Sequence, residues 1–292
     1  GIETKVLWLP DVFGYTWSLP QIMKKAGVDY FLTNKIRWND TNRFPYARFW
    51  WEGIDGTRIL AHIPPSSSYN GNVTPGQIRT MWDDLEPKDG PGDVIYSYGY
   101  GDGGGGVTWA MLEYAKRLQD FPGVPRCQTG KAQDFFEDIE SYGSQLPVWN
   151  GELYFEYHRG TYTTQGKTKR FNRKSEILYR EVELWSSVAS HVTSGLYTYP
   201  KGAIDHGWKT ILLNQFHDIL PGSSIGEVYD DAIRDYIEIV DVGERALDSS
   251  LKVLASMVDT GVGEGIPVMV FNSLSWERDD VVEVNIGDVS PG

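Results

Sequence analysis

The 292-residue chain carries a formal net charge of −13, with 40 Asp and Glu against 27 Lys and Arg. That balance argues against nucleic acid or an anionic membrane surface as partner, because phosphate binding needs basic patches. The single cysteine, Cys127, excludes an internal disulfide framework and a Cys-rich zinc finger and points to a reducing, cytoplasmic compartment; no apolar run approaches the roughly 20 residues of a membrane span.

In chain order, "KVLWL" reads as a strand and "SLPQIMKKAG" as a helix ended by Gly27. "DYFLTNK" reads as a strand, and "ARFWWEGIDGTRILAHIP" as a β-hairpin turning at Asp55-Gly56. "TPGQIRTMWDDL" is helical, "DVIYSYGYG" a strand, "TWAMLEYAKRLQDF" an amphipathic helix, and "RCQTGKAQDFFEDIESYG" a short strand and helix. Strand–helix alternation of this kind predicts an α/β domain with a largely parallel sheet over residues 1–145.

The period then changes. Apolar residues recur at helical spacing from Lys167 to about Val192. A second helix is expected from about Pro200 to Leu220, and a third after "PGSS", opened by a Ser224/Glu227 capping box and running to about Met257. Three long helices with short loops predict a helical bundle over 146–258. "IPVMVFNSLSW" and "DDVVEVNI" then read as strands that begin a β domain over 259–292.

Asp11 ends the first strand among Trp8, Phe13, Tyr15 and Trp17. Open α/β sheets and barrels place reacting groups at such strand ends, and a turn or helix-capping Asp is an equal reading from this segment alone. Asp102 ends the strand "YSYGYG" and precedes Gly103–Gly106. The glycines match the spacing of a dinucleotide fingerprint only as any glycine run would. No Walker lysine and no acidic residue about 20 positions on accompanies them, so a neutral ligand beside Asp102 is the better reading.

Two carboxylates on one rim can divide labour, one attacking and one protonating a leaving group. His217 and Asp218 close the second bundle helix, where a lone His is a C-cap or a metal ligand. Glu152, Glu156, His158, Arg159 and Tyr162 form a polar, aromatic stretch between the first two parts, which is either a hydrated linker or a pocket wall.

"WLPDVFGYTWSLPQIM", "YFLTNKIRWND", "FWWEGIDGTRILAHIPP", "YGYGDGGGG", "GELYFEYHRGTYTTQ" and "LLNQFHDILPGSS" follow one another in an order that resembles the glycoside hydrolase family 38 α-mannosidases, their cytosolic and bacterial branch above all. The resemblance runs to about Asp241 and implies a seven-stranded α/β barrel-like domain, incomplete here, then a three-helix bundle and β-sandwich domains. It also implies a retaining, exo-acting mechanism on mannosides or oligosaccharides with one bound zinc. A catalytically inactive mannoside-binding relative is the alternative.

Carried over by position, Asp11 matches the nucleophile and a metal ligand, and His217 the metal-binding His of a Gln-x-His-Asp motif. Asp102 is assigned the acid/base role, and Lys35 stands where some members have Arg beside the nucleophile. Phe13, His158 and Tyr162 line the sugar subsite, and Asp218 orients His217 or touches substrate. A homo-oligomer rests on family analogy alone. One departure is plain: the family's other two metal ligands come from a His-x-Asp motif, and none of His62, His158, His191, His206 and His217 begins one. A fragment that holds zinc poorly by itself is therefore expected.

Overall fold

The computed structural model describes residues 3–66, 68–85, 92–261 and 266–284. The chain divides into two compact units, Gly1–Thr161 and Tyr162–Gly292.

The first unit is built on a five-stranded sheet of order β1-β2-β4-β3-β5. Its strands are β1 (Val6–Trp8), β2 (Tyr30–Leu32), β3 (Arg48–Glu52), β4 (Arg58–His62) and β5 (Val148–Asn150). β1, β2 and β4 run parallel side by side, so their C-terminal ends share one rim. β3 pairs antiparallel with β4, and β5 parallel with β3. The expected hairpin forms, closed by Gly53 N–H to Thr57 O at 2.8 Å, with Gly56 at φ +79° in the left-handed conformation glycine tolerates.

Side-chain alternation divides the core between the sheet's two faces. Phe31, Phe49, Trp51, Ile59 and Ala61 pack with Met23 of helix α1 (Leu19–Lys25) on one face. Tyr30, Leu32 and Leu60 pack with Phe136 and Ile139 of α4 (Ala132–Glu140) on the other. With both faces covered, the strands read as nearly continuous apolar runs. Helices α2 (Pro75–Asp83) and α3 (Trp109–Arg117) start at Thr74 and Thr108, whose hydroxyls accept the N–H of Gln77 and Met111.

Two strand expectations fail here. "DVIYSYGYG" forms no strand: Tyr98 bridges only to Gly71, and Gly99 at φ +113° breaks the extended run. No strand forms in "RCQTG" either; the fifth strand is Val148–Asn150, paired with β3.

In the second unit α5 (Gly166–Val192), α6 (Lys201–Asn214) and α7 (Gly226–Ser256) pack on one another around Tyr179, Ile211, Tyr236 and Ile239. Gly207 and Gly243 let the ring of Tyr179 approach the backbones of α6 and α7. The Tyr179 hydroxyl donates to Ile239 O at 2.8 Å.

Helix α6 ends at Asn214, short of the expected Leu220, and α7 is capped at Ile225 rather than by a Ser224/Glu227 box. The same contacts cause both differences. Ser224 Oγ donates to Asp218 O at 2.7 Å instead of capping, and Ser223 Oγ donates to the Asp218 carboxylate, so the connection folds on itself. The expected C-terminal strands are absent from residues 266–284, and among the described residues no strand pairs with this segment to complete a ladder; residues 285 and 286 of "DDVVEVNI" lie outside the described residues. Among the described residues no helix is long and apolar enough to cross a membrane.

Candidate active site

Three neighbouring parallel strands each deliver one side chain to the rim. Asp11 follows β1, Lys35 follows β2 at the start of a 3-10 turn (Lys35–Trp38), and Tyr69 follows β4. The Tyr69 hydroxyl donates to Asp11 Oδ1 at 2.5 Å, and Lys35 Nζ stands 3.3 Å from the same oxygen. Lys35 Nζ also donates to the Tyr69 hydroxyl at 3.1 Å, closing a triangle on one carboxylate oxygen. The other oxygen, Oδ2, has no hydrogen-bond partner among the described residues.

Burial of the Lys35 cation is compensated by aromatic faces. Its Nζ lies 3.9 Å from the ring centroid of Trp38 and 5.4 Å from that of Tyr69. The turn bearing Asp11 is fixed from below. Tyr15 OH donates to Leu9 O at 2.6 Å, and Thr33 Oγ1, 2.6 Å from the Tyr15 hydroxyl and 2.8 Å from Leu9 O, has one proton to give to either. Burial first, with the Asp11 charge adding to it, pushes the Tyr15 phenol well above its ordinary pKa, so it stays a neutral strut.

Phe13 and His158 are brought together. Their ring centroids are 4.4 Å apart, and Phe155 backs the imidazole at 4.8 Å. Glu156, buried, anchors the loop beyond Trp38: it accepts from Thr41 N at 2.6 Å and from Asn42 N at 3.0 Å. Asp102 does not stand at a strand end. It occupies an exposed loop closed by a pair of 2.7 Å hydrogen bonds between Tyr100 and Gly106.

Tyr162, His217 and Asp218 belong to the second unit. Tyr162 is exposed. His217 lies beyond the end of α6 with its ring 4.2 Å from that of Phe216, and its Nε2 is 3.6 Å from Asp218 Oδ2. Sequence reasoning missed Tyr69. It sits in "PPSSSYN", after the third strand of the parallel set, and a search for polar side chains beyond every parallel strand end would have reached it.

Comparison with known proteins supplies the family. Residues 1–152 match the glycosyl hydrolases family 38 N-terminal domain, and residues 156–254 match the α-mannosidase middle domain. The chain belongs to glycosyl hydrolase family 38.

This family 38 chain is 39% identical over 277 residues to α-mannosidase 2C1 of Homo sapiens, covering 94% of the chain and 26% of that protein. It is 36% identical over 292 residues to an α-mannosidase of Saccharomyces cerevisiae, covering 97% of the chain and again 26% of the relative. The chain thus spans about a quarter of the length of the curated relatives it matches. The crystal structure of an α-mannosidase from Enterococcus faecalis superposes with a TM-score of 0.70 at 22% identity, over 88% of this chain and 30% of that one, a likeness of fold.

The resemblance to the family implies a metal. Asp11 and His217 offer a carboxylate and an imidazole, donors zinc accepts. A tetrahedral site takes about four ligands, and among the described residues no group of three or more His, Cys, Asp or Glu gathers. The residues present therefore do not by themselves fit a complete site.

Proposed function

We propose that this chain carries the reacting groups of a retaining α-mannosidase, with Asp11 as nucleophile and Asp102 as general acid/base. The observation that carries the reading is the hold on Asp11. A tyrosine hydroxyl and a lysine ammonium grip one carboxylate oxygen at a parallel-strand rim and leave the second open. That geometry presents an oriented carboxylate, which suits in-line attack on an anomeric carbon.

Asp11 attacks the anomeric carbon, the bond to the leaving oxygen breaks, and the Asp102 proton passes to that oxygen. In the second step Asp102 takes a proton from water, and the resulting hydroxide displaces Asp11 from the sugar with net retention. Phe13, two residues from Asp11 in the chain, and His158, whose ring lies against it, form an apolar wall suited to sugar C–H faces. Tyr162 and Asp218 are assigned to substrate binding by family resemblance alone. Asp11 and His217 are each assigned a zinc-ligand role by family resemblance alone, and the steps above involve only side chains of this chain, sugar and water. The barrel-like and three-helix-bundle organisation of the family is part of the same reading.

The test uses the complete polypeptide. It should hydrolyse aryl α-mannosides, and a fluorinated mannosyl trap should leave its covalent label on Asp11. A label on any other carboxylate would falsify the assignment.

A further inference from the structure

Tyr69 and Asn70 are consecutive residues with different partners. Tyr69 holds Asp11. Asn70 turns the other way, and its Oδ1 accepts the backbone N–H of Gly101 at 2.9 Å, one residue before Asp102. The two segments are also joined by their backbones: Gly71 N–H donates to Ser97 O at 3.3 Å, and Gly99 N–H to Gly71 O at 3.0 Å.

The loop bearing Asp102 has little else to fix it. Within it, Gly104 N–H donates to Gly101 O at 2.9 Å, and the Tyr100–Gly106 pair closes its base. Gly103, Gly104 and Gly106 sit at φ +81°, +72° and +67°, and a Cβ on any of them would meet nothing within 4 Å. Such a stretch has the backbone freedom of glycine and no side-chain packing to restrain it. Among the described residues, the hydrogen bond that reaches Gly101–Gly105 from elsewhere in the chain is the one from Asn70. Gly101 is shaped to receive it, since a Cβ there would lie 2.5 Å from Asn70 Oδ1.

We propose that Asn70 is a positioning residue that sets Asp102 relative to Asp11. It joins the acid's loop to the same short segment whose tyrosine orients the nucleophile. The inference rests on the acid/base reading of Asp102 given above and adds the residue that makes its placement definite. Tyr69 bonds the Asp11 carboxylate and Asn70 bonds the backbone one residue before Asp102, so both holds come from one segment.

A positioning role for the acid has a signature that a general structural role lacks. Protonation of the leaving oxygen matters where the leaving group is poor and little where it is good, so misplacing Asp102 penalises substrates unequally. The experiment measures kcat/KM, which reports the step that breaks the glycosidic bond, for methyl and dinitrophenyl α-mannosides with the complete polypeptide. Asn70→Ala should lose about tenfold or more on the methyl mannoside, in line with the effect of ångström-scale misplacement, and almost nothing on the dinitrophenyl one. Asn70→Asp keeps an acceptor for Gly101 N–H and should restore most of the loss. Gly101→Ala, which pushes on Asn70 Oδ1, should reproduce the Asn70→Ala pattern by an independent route.

Asp102→Asn is the reference. Leaving-group-dependent loss in Asp102→Asn together with uniform loss, or none, in Asn70→Ala overturns the positioning role and leaves the acid assignment standing. Uniform loss in Asp102→Asn overturns the acid assignment itself, and this inference with it.

Discussion

Asp11 and Tyr69 are 58 positions apart in the chain and 2.5 Å apart across a hydrogen bond. The sheet explains the meeting: β1 and β4 flank β2, all three run parallel, and the residues that leave their C-terminal ends converge on one rim. Lys35, leaving β2 between them, bridges both side chains.

The Asp11–Lys35–Tyr69 triangle predicts graded losses. Tyr69→Phe keeps the ring beside Lys35 and removes only the hydroxyl, so kcat/KM for an aryl α-mannoside should fall about tenfold by loss of orientation. Lys35→Met removes the cation from a partly buried carboxylate and should lose about a hundredfold, the scale of a preorganised electrostatic contact. Circular dichroism should show both variants folded. Tyr69→Phe equal to the parent in steady-state assays would remove the hydroxyl from any role at Asp11.

Glu156 predicts a local effect on the loop beyond Trp38. Its carboxylate accepts the N–H groups of Thr41 and Asn42, and the Thr41 bond is the first cause that holds its pKa below the ordinary carboxylate value of 4.5. Glu156→Gln replaces an acceptor oxygen with a donor NH₂ group facing backbone N–H groups. Hydrogen exchange should then show the Thr41 and Asn42 amides losing protection while strands β2 and β4 keep theirs. The sign with pH follows from the lowered value: the stabilisation is present above the unfolded carboxylate pKa and is lost as pH falls through the lower folded one. The parent should lose loop protection in acid, and Glu156→Gln should lack it throughout.

The sheet was legible where a pattern had a neighbour to pair with. "KVLWL", "DYFLTNK" and the Asp55-Gly56 hairpin are strands because each has a register partner. "DVIYSYGYG" carries the same apolar signal and is not a strand, because pairing is non-local and Gly99 and Gly101 are committed to the Asp102 loop. Asp11 and Lys35 could be singled out from strand ends. Tyr69 could not be singled out so directly, because a serine-rich loop separates it from β4 and only the order of strands in the sheet brings it to Asp11. The α6–α7 connection was misread for a related reason: Ser224 has the spacing of a cap, and its hydroxyl is taken by Asp218 O.

Gly207 predicts a packing defect in the three-helix unit. A Cβ at that position would stand 1.9 Å from the Tyr179 ring, which is fully buried between α6 and α7. Gly207→Ala must displace that ring and should destabilise by about 1–3 kcal/mol, the range for overpacking, lowering the melting temperature. Gly202→Ala in the same helix meets nothing within 4 Å and serves as the control. It should melt no lower than the parent, because alanine is the better helix former. Equal melting of the two variants would remove the close approach as the reason for glycine at position 207.

His62 predicts how stability varies with pH. The imidazole is fully buried at the end of β4. The N–H of Ile95 points at Nε2 from 3.1 Å, so Nε2 must accept and the proton sits on Nδ1, which donates to Ala47 O at 2.8 Å. This neutral tautomer satisfies both ring nitrogens, whereas an imidazolium would oppose one donor to another in a dry site. Burial first, then the charges of Arg48 and Arg37, lower its pKa from 6.5 to about 3. Between those values the unfolded chain binds a proton at His62 that the folded chain refuses, so folding stability decreases as pH falls through that window. The slope from this one group approaches about 1.4 kcal/mol per pH unit. His62→Gln can offer the same donor and acceptor without a titrating group. Urea melts across the window should show the parent losing stability more steeply than His62→Gln, and parallel slopes would mean that His62 does not govern the acid limb.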